Sequence, residues 1–180
     1  FSFLHKLAWD GKLEKLRAAI HATGPDGLDI RDVHGMTPLF YAVFWSNNEA
    51  ATCLLEASAK VDIVDGFGRS LLIVIFLYKV SGDGARVAKT LLDKRANASR
   101  VSDIDLPPIN LAAQSGHLEL VQLLAQNRAD IDGFTSSLGR PILEAAGQGL
   151  DLTQWFLEQS CDPTVRDANG DAAAHHAASA

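Results

Sequence analysis

Residues 108–132 read PINLAAQSGHLELVQLLAQNRADID, and this stretch decides the fold of the chain. A proline opens it, Ser115 and Gly116 interrupt it, and a second apolar run follows. Proline suits the first turn of a helix, where its missing N–H would have had no partner. In the second run the apolar residues recur at helical spacing, which makes one face apolar: Leu118, Val121, Leu123 and Leu124. The stretch predicts two short helices joined by a tight turn.

The same layout recurs along the chain with a period of 33 residues. The block PINLAA that starts at Pro108 is matched by PILEAA at Pro141, and Asp32-Val33-His34-Gly35 is matched by Asp65-Gly66-Phe67-Gly68. Two independent blocks share one period, so the chain is a repeat array. A single unit of this kind cannot bury its apolar face alone, and stacking of neighbours makes the core.

At these residues the chain resembles the ankyrin repeat family. DVHGMTPLFYAV (32–43) is similar to the opening of that repeat, and AAQSGHLELVQLL (112–124) is similar to its middle. The last stretch, DANGDAAAHHAA (167–178), keeps the Gly170 turn and has His175 at the family's histidine position. The resemblance implies an all-α fold, an ankyrin-repeat solenoid of stacked helix–turn–helix units with short β-turn fingers, which serves as a recognition scaffold.

The resemblance predicts one ankyrin-repeat domain over residues 1–180. Its units are 1–31 (partial), 32–64, 65–100, 101–132, 133–166 and 167–180 (cut off). In the second complete unit the spacing from Leu54 to Leu91 is 37 residues, four more than the period of 33. We expect a longer loop at Lys79–Gly84 because the stretch KVSGDG is rich in turn residues. This unit also replaces the usual alanine pair with Ile75-Phe76, which predicts unusual packing.

Charge and motifs argue against several functions. The chain has 22 acidic and 16 basic residues, a net charge of −6, and an acidic chain is a poor partner for nucleic acid. The longest apolar stretch, 71–78, is too short to cross a bilayer, so no direct membrane insertion is expected. Cys53 and Cys161 are expected to be reduced and buried. His5 and His175 are expected to bond backbone, and no metal, cofactor or catalytic group is predicted.

The expected activity is the binding of one or more proteins. By alignment, the positions after the alanine pair of each first helix point to the concave face of the family. In the first two complete units these positions and the ones a turn earlier are unexpectedly apolar, and they predict a partner-binding patch: Tyr41, Phe44, Trp45, Val74, Leu77 and Tyr78. The tips of the fingers are a second candidate, notably His34 and Phe67. In the alternative interpretation, some of these side chains pack between units or beneath the 79–84 loop.

Two functions stay open at this point. The chain is either a scaffold, free or as a fixed subunit of a multiprotein assembly, or the cytosolic ankyrin part of a larger protein such as an ion channel, a ligase or an acyltransferase. A cytoplasmic or nuclear location is the default expectation. An organellar location is open if a transit segment precedes Phe1.

Overall fold

The structure is a computed structural model, and it describes residues 2–24, 27–78, 83–136 and 138–179. The described chain is helical apart from turns and isolated antiparallel bridges, so the all-α expectation is confirmed. It divides into two compact units, residues 1–96 and 97–180. The single domain and the limits of its repeats stay predictions, and each unit is described below by itself.

In the first unit the helices form two layers. Helices α1, α3 and α5 pack side by side, while α2, α4 and α6 form the second layer against them. Their bounds are α1 Phe3–Asp10, α2 Leu13–Thr23, α3 Pro38–Phe44, α4 Asn48–Glu56, α5 Leu71–Leu77 and α6 Asp83–Asp93.

The second unit repeats this arrangement. Helix α9 lies at its centre and packs against α7, α10 and α11, and α7 packs against α8. The bounds are α7 Pro108–Gln114, α8 Leu118–Gln126, α9 Pro141–Ala146, α10 Leu150–Glu158 and α11 Ala173–Ser179. The helix–turn–helix predicted over residues 108–132 is therefore present, as α7 and α8.

Local sequence explains where the first helix of each pair begins. Thr37 accepts a hydrogen bond from the N–H of Phe40 (3.3 Å), and Ser70 accepts one from Ile73 (3.4 Å). Such N-caps satisfy N–H groups that have no partner inside the helix. Helices α7 and α9 begin instead at Pro108 and Pro141. The starts of these four helices are thus marked by a capping hydroxyl or by a proline.

Finger turns precede several of these helices, and an aspartate organises three of them. Asp32 Oδ1 accepts hydrogen bonds from the N–H groups of His34 (2.9 Å) and Met36 (3.0 Å). Asp65 and Asp167 bond the second and fourth residues after them in the same way. The finger stays tight because its own aspartate supplies the acceptor that the turn needs.

The apolar face of α8 faces the core. Leu120, Val121 and Leu124 are buried, whereas Leu118 and Leu123 are half-buried. The expected helical face is present, and Leu120, which the pattern did not include, also belongs to it.

The extra length of the second complete unit falls between α5 and α6. Residues 79–82 lie outside the described residues, so the loop predicted there is not described. Asp83 and Gly84 already belong to α6, and the prediction that they form part of a loop is wrong. Ile75 and Phe76 are buried, but so are Ala42 and Val43 at the same repeat positions, so the expectation of unusual packing stays a prediction.

Candidate functional site

Three aromatic rings stack at the surface of the first unit. Trp9 of α1 lies parallel to Trp45, which follows α3, with 5.1 Å between ring centroids and 5° between planes. Trp9 also stacks on Tyr41 of α3, at 6.0 Å and 14°. Tyr41 and Trp45 are four residues apart and share one side of the helix, so the indole of Trp9 packs against both.

Two further rings extend this stack toward α5. Phe44 contacts Trp45 edge-on, with centroids 5.6 Å apart, and Tyr78 lies 4.7 Å from Phe44. Trp9, Trp45 and Tyr78 remain 44%, 48% and 47% exposed, while Tyr41 and Phe44 are half-buried. We call these five side chains the aromatic row: Trp9, Tyr41, Phe44, Trp45 and Tyr78. Exposed aromatic area that is already ordered suits a binding surface, because little side-chain entropy is lost on contact.

The sequence reasoning did not include Trp9 in the predicted patch, although the repeat alignment places it at a patch position. When Ser2 is aligned with Thr37 and Ser70, Trp9 falls in the same repeat position as Phe44 and Leu77. Because α1 packs against α3, Trp9 comes directly against the ring of the next unit.

Val74 does not lie on this surface. Its exposed fraction is 0%, so the exposure that the sequence predicted for it is wrong. Helix α5 reads LLIVIFL and is apolar all round, and a helix of that composition is buried on every side. Leu77 is half-buried at the end of the same helix and borders the aromatic row.

Tyr41 is fixed by a hydrogen bond to the first finger. Its hydroxyl donates to Asp32 Oδ2 at 2.7 Å. Burial, this hydrogen bond and the carboxylate charge together raise the pKa of Tyr41 to about 12. Burial works to raise the pKa of Asp32 as well, but the hydrogen bonds from Tyr41 and from two backbone N–H groups outweigh it, and that pKa is lowered. The finger and the aromatic row are therefore held together by one residue pair.

The second finger is tied to the row by Arg69. Its Nη2 and Nε lie 2.6 Å and 2.7 Å from Asp65 Oδ2, and Nη1 donates to the Tyr78 hydroxyl at 3.2 Å. Burial works to lower the pKa of Arg69, but these hydrogen bonds and the charge of Asp65 raise it. The guanidinium also lies over the ring of Phe67, 5.1 Å from its centroid. Tyr78 is consequently held from both sides, by Phe44 and by Arg69.

The two fingertip candidates lie together in a groove. A cavity of about 600 Å³ separates the first two fingers, and His34 and Phe67 are on opposite sides of it. Val33 is 90% exposed and Phe67 is 62% exposed. The groove is also lined by Arg31, whose Nη1 donates to the carbonyls of Gly35 (3.2 Å) and Val64 (3.3 Å). It is a second surface of the first unit, and it is lined by apolar side chains together with Arg31, His34 and Asp65.

In the second unit the corresponding positions of α7 and α9 carry no aromatic ring; they are Leu111, Gln114, Ser115, Glu144, Gly147 and Gln148. Gln114 and Glu144 stand where Phe44 and Tyr41 stand in the first. Glu144 is half-buried, and burial raises its pKa, although the charge of His176 and a hydrogen bond from Gln114 oppose that rise. His176 Nε2 lies 3.1 Å from Asp167 Oδ2. The aromatic row thus belongs to the first unit alone.

The histidines and cysteines that could take part in chemistry occupy structural positions. His5 Nδ1 bonds the N–H of Ser2 at 3.0 Å and its Nε2 lies 2.9 Å from the carbonyl of Met36, while His175 Nδ1 accepts from Ala172 at 3.0 Å. Cys53 and Cys161 are free and buried, and burial raises the pKa of both thiols, which disfavours the reactive thiolate. Among the described residues no group of three or more His, Cys, Asp or Glu is placed to hold a metal ion. None of the described helices is long and apolar enough to cross a membrane.

Comparison with known proteins identifies the family. A model described as ankyrin repeats in three copies matches residues 76–167, and the single ankyrin repeat model matches residues 34–66. These helix pairs and fingers are therefore ankyrin repeats, and the chain belongs to the ankyrin repeat family. Ankyrin repeats generally mediate protein–protein interactions and are typically non-catalytic.

Relatives carry the same repeats in much longer chains. Ankyrin repeat protein nuc-2 of Neurospora crassa is 29% identical over 97% of this chain, which spans 16% of that protein. Ankyrin repeat and KH domain-containing protein mask-1 of Caenorhabditis elegans is 28% identical over 87% of the chain and 6% of its own length. Mouse Rabankyrin-5 is 33% identical over 60% of the chain and 9% of its own length.

Proposed function

We propose that this chain is a non-catalytic scaffold that binds a protein partner through the aromatic row of its first unit. The observation that carries the proposal is the continuity of the row: five rings from three neighbouring first helices touch in sequence, and three of them are close to half exposed. Tryptophan and tyrosine are the residues most enriched at binding hot spots. The finger groove at His34 and Phe67 is the adjoining contact, and Leu77 borders the row.

The geometry favours a lasting partner. The rings are held in place by the stack itself and by the bonds of Tyr41 and Tyr78 to the fingers. A surface that is ordered before binding loses less entropy on association, which raises affinity mainly by slowing dissociation. Such a row suits a fixed subunit of a multiprotein assembly better than a transient contact.

The experiment compares partner capture by wild type and by Trp9→Ser/Trp45→Ser, with quantitative mass spectrometry and then a direct affinity measurement. Removing two hot-spot rings is expected to cost at least about 2 kcal/mol of binding free energy, roughly a thirtyfold loss of affinity. Circular dichroism and thermal unfolding establish that the variant is folded.

A matched control variant also removes two exposed apolar side chains, but it removes them from the second unit. Phe134 and Leu150, in the second unit, are 60% and 78% exposed. Phe134→Ser/Leu150→Ser is expected to retain the partner. Retention by Trp9→Ser/Trp45→Ser within twofold, or equal loss in the control, would contradict the assignment of the site to the aromatic row.

A second candidate is a recognition module of a longer protein whose activity lies in other segments. The observation that favours it is that the chain spans 16% or less of the relatives named above. A transcript that encodes a channel, ligase or acyltransferase domain next to these repeats would support it. A location in the cytoplasm or nucleus is the default part of the proposal. The absence of nucleic acid among the partners is a further part, which the acidic charge supports.

A further inference from the structure

The finger groove contains an arginine whose charge is not neutralised by a carboxylate. Arg31 Nη1 donates to the carbonyls of Gly35 (3.2 Å) and Val64 (3.3 Å), one from each of the two repeats. In the part of the chain that the structure describes, Arg31 forms no ion pair. A guanidinium presents its N–H donors as a planar fork that matches a carboxylate. Arg31 is therefore an exposed cation that two neutral carbonyls already hold in place.

The aspartates of the two fingers are matched by other donors. Asp65 Oδ2 lies 2.6 Å and 2.7 Å from two nitrogens of Arg69, and its Oδ1 accepts from two backbone N–H groups of its own finger. Asp32 Oδ1 likewise accepts from two N–H groups, and its Oδ2 accepts from the hydroxyl of Tyr41. Neither carboxylate bonds the guanidinium of Arg31, so its charge is available to an anionic ligand.

Apolar side chains stand beside this cation at the tips of both fingers. Val33 of the first finger is 90% exposed and Phe67 of the second is 62% exposed. The guanidinium of Arg69 lies 5.1 Å from the centroid of the Phe67 ring and orders it. The groove of about 600 Å³ between them has the size of a ligand pocket. An apolar side chain that entered it would bury exposed apolar area, which favours binding roughly in proportion to that area.

We propose that the finger groove holds a short acidic segment of the protein partner, with a carboxylate on Arg31 and a neighbouring apolar side chain against Val33 and Phe67. Charge complementarity carries the choice of occupant, since the groove offers one ordered cation without an acidic partner. The chain as a whole has a net charge of −6, so much of its remaining surface repels the same segment, which favours this register. The inference rests on the proposed function only in that the chain binds a protein.

The test selects random linear peptides, displayed on phage, on the whole wild-type chain. The enriched sequences are expected to share an aspartate or glutamate close to an aromatic or aliphatic residue. Their affinities are then measured by fluorescence anisotropy with synthetic peptides. Arg31→Gln should weaken binding about tenfold, which corresponds to the loss of a hydrogen bond to a charged group. It should also reduce the salt dependence of the affinity, because salt screens an exposed ion pair.

Control variants separate the groove from a general effect of charge. Arg166 of the last finger donates to the carbonyl of Gly170 as Arg31 does to Gly35, and Arg166→Gln should leave the affinity within twofold. Val33 is so exposed that substitutions there leave the fold intact. Val33→Glu should bind the acidic peptides about threefold more weakly than Val33→Gln, and high salt should remove the difference. Circular dichroism establishes that each variant is folded.

The outcomes distinguish this inference from the role of the aromatic row. Peptides that lose affinity in Trp9→Ser/Trp45→Ser but bind Arg31→Gln as tightly as wild type would support the row and overturn the groove. Loss of binding in Arg31→Gln supports the groove, whatever the row contributes to capture of the natural partner. A selection that enriches no peptide, or a consensus without an acidic residue, also overturns the proposal.

Discussion

Trp9 and Trp45 stack in parallel, 5.1 Å apart, although they belong to different repeats of the first unit. The pair joins α1 to the end of α3 and forms the centre of the aromatic row. Its two indoles take part both in the stability of the unit and in the surface proposed for the partner. Stability and binding therefore have to be measured separately.

The first prediction concerns the strength of this stack. In a double-mutant cycle with Trp9→Ala and Trp45→Ala, the two rings are expected to be coupled by about 1 kcal/mol of unfolding free energy, because parallel offset rings gain this much beyond their buried area. Urea unfolding of the four proteins gives the coupling. Additive single effects would show that the rings are merely adjacent.

The second prediction concerns the Tyr41–Asp32 pair. The pKa of Tyr41 is raised from 10.0 to about 12, so the folded state holds this proton more tightly than the unfolded one. The resulting stability is complete below pH 10 and is lost as the pH rises from 10 to 12. Tyr41→Phe should lack this loss when thermal unfolding is followed across that range.

At acid pH the Tyr41–Asp32 pair loses its contribution to stability as the pH falls, whereas at alkaline pH it loses it as the pH rises. The pKa of Asp32 lies below its ordinary 3.8, so its stabilisation is complete above that value and is lost as the pH falls through the lower, folded pKa. Tyr41→Phe removes one of the hydrogen bonds responsible, and the acid loss should become smaller. Identical acid and alkaline profiles for the two proteins would contradict the hydrogen bond.

The third prediction concerns the buried ion pair of the second finger. The side chain of Asp65 is 0% exposed and that of Arg69 is 13% exposed. Arg69→Met leaves an unpaired buried carboxylate and should cost about 3 kcal/mol of unfolding free energy. The double variant Asp65→Asn/Arg69→Met should recover most of that cost, since a neutral amide replaces the charge. Equal destabilisation of the single and double variants in urea would argue against the ion pair.

The fourth prediction concerns Ser58, which lies two residues after the end of α4. Ser58 has φ = 70°, a left-handed conformation that glycine adopts without steric cost. Ser58→Gly is expected to raise the unfolding free energy by about 0.5–1 kcal/mol. The neighbouring Ala57 has φ = −74°, and Ala57→Gly should lower it by a similar amount. Thermal unfolding measures both, and a common sign for the two substitutions would contradict the backbone assignment.

The repeat pattern was enough to predict much of this chain. The 33-residue period, the prolines that open α7 and α9, and the finger turns of Asp32 and Asp65 are local features, and each depends on residues within one unit. The positions of Phe44, Trp45 and Tyr78 on a common surface also follow from the period. The role of this surface in binding stays a prediction.

The two errors have different causes. Val74 shares its repeat position with Tyr41, but its helix reads LLIVIFL, is apolar on all sides and is therefore buried; the composition of that helix already indicates this. Trp9 shares the position of Phe44, yet its importance depends on the packing of α1 against α3, which no pattern within a single unit contains.

By itself the sequence determined the family, the helix pairs and the finger turns, because short-range hydrogen bonds and the repeat period depend on residues close together in the chain. Only the tertiary structure decided which rings of neighbouring repeats meet, as Trp9 does with Tyr41 and Trp45, and Phe44 with Tyr78. These contacts depend on how helices of neighbouring repeats pack, since a distance between side chains on separate helices is set by the core they share.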